Sequence, residues 1–168
     1  VDELLGRAGE AAGLCRSAVG ADVNPALKLG ALLAGFALEG RDKLTLVASP
    51  AVDGFGPWLE QLVAESTGKD GRGILPIIGE SLGRPSSYGD DRLFVEIVCQ
   101  GERSQASSLD ALSAAGHPVV YVDMSDAYDL GGQFLLWELA TAVAAHILGV
   151  HPFTQPDVEL SKQRTREA

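Results

Sequence analysis

The chain has 168 residues, 46% hydrophobic and 21% charged, with 13 Lys and Arg against 23 Asp and Glu for a formal net charge of −10. A chain of this size buries a core without disulfides or metal, and no apolar run reaches the ~18 residues of a membrane-spanning helix, which excludes a transmembrane protein. The acidic balance argues against nucleic acid as a partner, since phosphate-backbone binding needs excess positive charge, and the widely separated Cys15 and Cys99 read as two reduced thiols of a cytoplasmic protein.

Residues 1–19 carry Leu4, Leu5, Ala8, Ala11, Ala12 and Cys15 at helical spacing. Asn24-Pro25 opens a second helix, with Leu27, Leu32, Leu33 and Phe36 as apolar positions and Gly40 as its stop. The period then changes. Residues 43–49 are short, β-branched and apolar, and a Pro/Gly-rich break precedes a helix over 58–65. Strand-like runs follow at 73–78, 92–99 and 118–122, with a helix over 109–115 between the last two. Continuous apolar runs without alternation fit a parallel sheet covered on both faces, so the expected fold is α/β, a three-layer α/β/α arrangement with a mostly parallel, doubly wound sheet. The loop at 79–91, GESLGRPSSYGDD, has no apolar period and no evident core to join. A helix over 132–148 is apolar nearly all round, with Trp137 and Glu138 at its centre, and is expected to be buried; both Trp58 and Trp137 read as packing residues. The terminal residues 162–168 read as a solvated helix end or a frayed tail.

Two segments carry candidate chemistry. In the first, Gln61 and Glu65 are four apart on one helix face, and Gly68 is placed as a left-handed helix stop. A carboxylate in the last helical turn faces the negative end of the macrodipole; with burial in a cleft, its pKa should rise toward that of a general base working near neutral pH. In the second, a chain leaving the apolar helix turns at Pro152 and starts a short helix with Thr154 as N-cap and Pro156 in its first turn, which puts Gln155 and Lys162 two turns apart on one side. Gln155 suits a hydroxyl-rich ligand, and Lys162 a cation or proton donor. No metal site is expected, because His117, His146 and His151 lack ligand spacing. No phosphate-binding glycine loop opens a helix, and 68–73 follows one instead; no GxSxG elbow supports a Ser–His–Asp set.

Together the two segments resemble glucose-6-phosphate isomerases. The C-terminal signature of that family reads here as Phe153-Thr-Gln155-Pro-Asp157-Val158-Glu159-Leu-Ser-Lys162, departing from it only at Asp157, and Gln61-Leu-Val-Ala-Glu65-Ser-Thr-Gly-Lys matches the family segment that carries the base. With Asn24-Pro-Ala and Gly40-Arg-Asp-Lys43, the likeness covers nearly the whole chain. The wording is closest to fused transaldolase/glucose-6-phosphate isomerases, notably at Trp58-Leu-Glu-Gln and Tyr88-Gly-Asp-Asp-Arg92. Such enzymes have two sugar isomerase (SIS) domains of flavodoxin-like fold, and residues 1–168 look like the second, with the first, phosphate-binding domain expected upstream.

The resemblance implies a C-terminal catalytic domain that interconverts glucose 6-phosphate and fructose 6-phosphate through a cis-enediol, without a cofactor. Glu65 would be the base, Lys162 would assist ring opening, and Gln61 and Gln155 would hold the sugar. Where many members place a partner-subunit histidine this sequence has Asp91, which implies a homodimer in which Asp91 meets the substrate. The isolated chain, lacking the phosphate loop, is expected to be inactive. The alternative is a non-catalytic sugar-phosphate-binding module, which would need no base.

Overall fold

In the computed structural model, which describes residues 1–167, four strands form one all-parallel sheet in the order β2-β1-β3-β4. They are β1 (Lys43–Ala48), β2 (Leu75–Ile77), β3 (Arg92–Cys99) and β4 (Val119–Met124). Lys43 lies opposite Leu75 on one side and Arg92 on the other, and Phe94 lies opposite Val119. This order matches the first four strands of a flavodoxin-like sheet, with its switch point between β1 and β3. The expected α/β class is the one observed.

The helices are α1 (Asp2–Leu14), α2 (Pro25–Leu38), α3 (Phe55–Thr67), α4 (Ala106–Ala114), α5 (Leu130–Leu148) and α6 (Pro156–Glu167). β3 is covered on both faces, which explains its unbroken apolar run. Leu93, Val95 and Ile97 join the larger core with Leu33, Leu59 and Trp137 of α2, α3 and α5, while Phe94 packs with Val47 and with Leu109 and Leu112 of α4. α2 begins where Asn24 and Pro25 indicated: the Asn24 carboxamide oxygen accepts from the Ala26 and Leu27 N–H groups at 3.1 and 3.2 Å.

Three expectations need correcting. α5 starts two residues before the expected 132, and its Gly131-Gly132 pair sits where α1 crosses closely: a Cβ on Gly132 would lie 3.3 Å from that of Ala11. The helix is also not buried all round. Trp137, Ala140 and Ala144 face the core, whereas Phe134, Glu138 and His146 are exposed. The 79–91 loop does have a core to join, since Leu82 and Tyr88 pack on the smaller cluster. It is anchored further by Arg92 to Glu80 at 2.9 Å and by the Leu82 N–H to the Gln105 side chain at 2.8 Å.

At the carboxyl edge of the sheet, the switch point is filled by the chain itself. The Ser49 hydroxyl accepts from the Cys99 N–H at 2.8 Å and donates its one proton to the Glu102 carbonyl, with the Ile97 carbonyl oxygen 3.3 Å away, while Ser104 donates to the Ala48 carbonyl at 2.6 Å. α3 runs back against the strand direction, so its last turn, with Glu65, lies toward the opposite, amino edge.

Candidate functional site

α3 buries Leu59 and Val63 and turns Trp58, Gln61, Leu62 and Glu65 toward a cleft of about 230 Å³. The far side of the cleft is made by Glu138 of α5 and by Pro152 and Gln155 of the connection to α6. Gln61 Nε2 donates to Glu65 Oε1 at 3.2 Å, and Gln155 Nε2 donates to Glu65 Oε2 at 3.1 Å. The fold therefore brings three of the expected site residues together, with one amide on each carboxylate oxygen. A carboxylate has about four lone-pair positions, so both oxygens keep acceptor capacity toward the cleft. Glu65 itself is exposed.

Gly68 is not the left-handed stop its position suggested: its φ is −73° and its ψ 79°. The reason for glycine here is close approach, since a Cβ on Gly68 would lie 2.7 Å from the Ala64 carbonyl oxygen and one on Gly73 would lie 2.7 Å from the Gly68 Cα. The chain then makes a tight turn in which Lys69 and Arg72 exchange backbone hydrogen bonds of 3.0 and 2.9 Å around Asp70 (φ 55°) and Gly71 (φ 72°). Both corners of the turn point cations at the end of α5. Arg72 donates to the Leu148 carbonyl at 2.9 Å, next to Gly149, whose φ of 75° ends the helix. Lys69, only 5% exposed, donates to the carbonyls of Glu65 at 2.9 Å, Ser66 at 3.0 Å and Pro152 at 3.3 Å. Burial pushes the Lys69 ammonium below the usual lysine range, and the Glu65 charge works against that shift.

Two further expected site residues belong to α6 and to the approach to β3. α6 begins at Pro156, so Gln155 and not Thr154 directly precedes it, and the Thr154 hydroxyl donates back to the His151 carbonyl at 3.3 Å. Lys162 of α6 is exposed, and neither it nor Asp91 is among the described residues lining the cleft. Asp91 precedes β3 and pairs with Lys43 at 2.9 Å; that hydrogen bond holds its carboxyl below the usual range.

The sequence reading gave no role to Lys69 or Glu138. A lysine directly after a helix-ending glycine and a lone carboxylate in an apolar helix were the available signals. Trp58 does pack, stacking on Phe55 at 5.2 Å and meeting Phe134 edge-on at 4.6 Å, but it also walls the cleft. A larger hollow of about 740 Å³ lies beside Asp42, Arg72 and Leu75, but none of the expected site residues lines it. Among the described residues, no group of three or more His, Cys, Asp or Glu is placed to hold a metal ion, and no helix is long and apolar enough to cross a membrane.

No protein-family model matches the chain. It is 31% identical over 199 aligned positions to a probable glucose-6-phosphate isomerase of Natronomonas pharaonis, covering 95% of this chain and 46% of that protein. Against the glucose-6-phosphate isomerase of Enterococcus faecalis the identity is 29% over 152 positions, covering 68% of this chain and 34% of that protein. The fold is shared with a hypothetical protein of Thermus thermophilus, at a TM-score of 0.76 and 20% identity over 99% of this chain and 49% of that one. It is shared also with a glucose-6-phosphate isomerase of Chlamydia trachomatis, at a TM-score of 0.68 and 16% identity over 98% of this chain and 42% of that one. The chain spans between a third and a half of the length of these curated relatives, and it is similar in sequence to proteins named glucose-6-phosphate isomerase.

Proposed function

We propose that residues 1–168 form the C-terminal SIS domain of a cytoplasmic glucose-6-phosphate isomerase, with an upstream SIS domain and, in a fused form, a transaldolase making up the rest. The observation that carries this reading is the convergence of Gln61 and Gln155 on the Glu65 carboxylate, in a chain whose relatives bear that name.

In this reading Glu65 takes the C2 proton of the opened aldose. The C–H electron pair becomes the C1=C2 bond of a cis-enediol as the C1 oxygen gains a proton. Return of the proton from Glu65 to C1, with loss of the proton on the C2 oxygen, gives the ketose, so no proton is consumed overall. The two glutamine amides, already directed at the carboxylate, bind sugar hydroxyls beside it. Lys162 assists ring opening, and Asp91 reaches the substrate from the other subunit of a homodimer. The phosphate is held by the upstream domain, because a chain of net charge −10 repels a dianion, and the isolated chain is therefore inactive.

Glu65→Gln in the full-length protein tests the assignment. The amide keeps the shape but accepts no proton, so interconversion should vanish while sugar-phosphate binding survives. Unchanged turnover refutes the role of Glu65. A wild-type protein that binds the sugar phosphate without interconverting it is the binding module instead.

A further inference from the structure

We infer that Lys69 is the positioning residue that holds Gln155 against Glu65, an inference that rests on reading those two side chains as the site. The Glu65–Gln155 hydrogen bond joins two exposed groups, where water competes for both partners, so it does not fix the 151–155 segment by itself. The hydrogen bonds of Phe153 and Thr154 run back to His151 within the same segment. Among the described residues, the buried hydrogen-bonding tie between this segment and α3 is the Lys69 ammonium.

Its three donors meet three carbonyls, two from the last turn of α3, including that of Glu65 itself, and one from Pro152, three residues before Gln155. A lysine 5% exposed is tolerable only with its donors satisfied, so displacing the Pro152 carbonyl leaves a buried donor unmet. That penalty makes the link stiff. The turn that presents Lys69 is held in turn by Arg72 on the Leu148 carbonyl, so the chain leaving α5 is gripped at 148 and again at 152. One ammonium thereby sets the distance between the proposed base and the amide that orients it and the sugar.

The test compares Lys69→Met with Lys69→Arg in the chain. In the methionine variant, amide exchange at Phe153, Thr154 and Gln155 should rise at least tenfold while β1 and β3 keep their rates. The Gln155 side-chain amide resonances should move to the positions they take in Glu65→Ala. Arginine, which keeps the charge and several donors, should bring both exchange and resonances part of the way back to wild type. Unchanged exchange and unchanged Gln155 resonances overturn the inference, as does exchange that rises equally in β1, β3 and the segment. If the methionine variant does not fold, Lys69→Gln is read by the same criteria. In a protein that carries this chain and interconverts the two sugar phosphates, Lys69→Met should lower kcat at least tenfold with KM within threefold. Absence of that activity from the wild type refutes the isomerase reading alone, and the exchange and resonance measurements still decide the role of Lys69.

Discussion

The Gln155 carboxamide reaches the Glu65 carboxylate at 3.1 Å across 90 positions of chain. Gln155→Ala removes an exposed group, so folding stability should change by no more than about 0.5 kcal/mol. Isomerisation by the full-length protein should fall roughly tenfold to a hundredfold, the equivalent of one hydrogen bond to a charged group. Chemical denaturation together with a coupled assay checks both halves, and full activity in the variant would remove Gln155 from the site.

Gly30 of α2 lies against α5 so closely that a Cβ there would fall 2.5 Å from the Ala140 carbonyl oxygen and 2.7 Å from the Val143 Cβ. Both obstacles belong to one packed helix and neither is the end of a flexible side chain. Gly30→Ala should therefore cost about 1–3 kcal/mol by forcing the helices apart, despite the better helix propensity of alanine. A variant as stable as wild type in urea would show that α2 and α5 are less tightly apposed.

Asp91 and Lys43 titrate as partners. Donation from Lys43 holds the Asp91 carboxyl low, and the hydrogen bonds that Lys43 donates to Asp91 and then Asp42 hold its ammonium high. A depressed carboxyl contributes stability above its unfolded pKa and loses it as pH falls through the folded value; a raised ammonium contributes below its unfolded pKa and loses it as pH rises through the folded value. The pair should therefore contribute across the neutral range and fade at both extremes. Lys43→Met should move the Asp91 carboxyl upward in an NMR titration, and no movement would mean that the ion pair does not form in solution.

Glu96 on β3 is fully buried, and its Oε2 accepts from Arg103 at 2.7 Å, while Arg103 also stacks over the Tyr121 ring at 4.9 Å. Removing the arginine strands a carboxylate in the interior, whereas removing both charges does not. Arg103→Met should lower Tm clearly, and adding Glu96→Gln should recover part of the loss. A single variant with unchanged Tm would contradict the buried pairing.

The α/β class was legible in the sequence because the strands are short, mostly apolar runs without alternation, and a central strand such as β3 has to be apolar on both faces. Asn24-Pro25 marked the start of α2 because an amide cap and a proline without an N–H satisfy a helix end locally. Gln61 and Glu65 were likewise paired by helical spacing alone. The beginning of α5 at Leu130 was not legible, since its glycines are there for contact with α1 and not to end the helix. Nor was the manner in which α3 ends, where a buried ammonium from Lys69 takes the place of a left-handed glycine. Motif resemblance grouped Gln155 with Glu65, but spacing along the chain carries no information about a contact between segments 90 positions apart. That contact is decided by where α3 and α5 end on the same side of the sheet, and by a tight turn whose two cations bind the carbonyls exposed there.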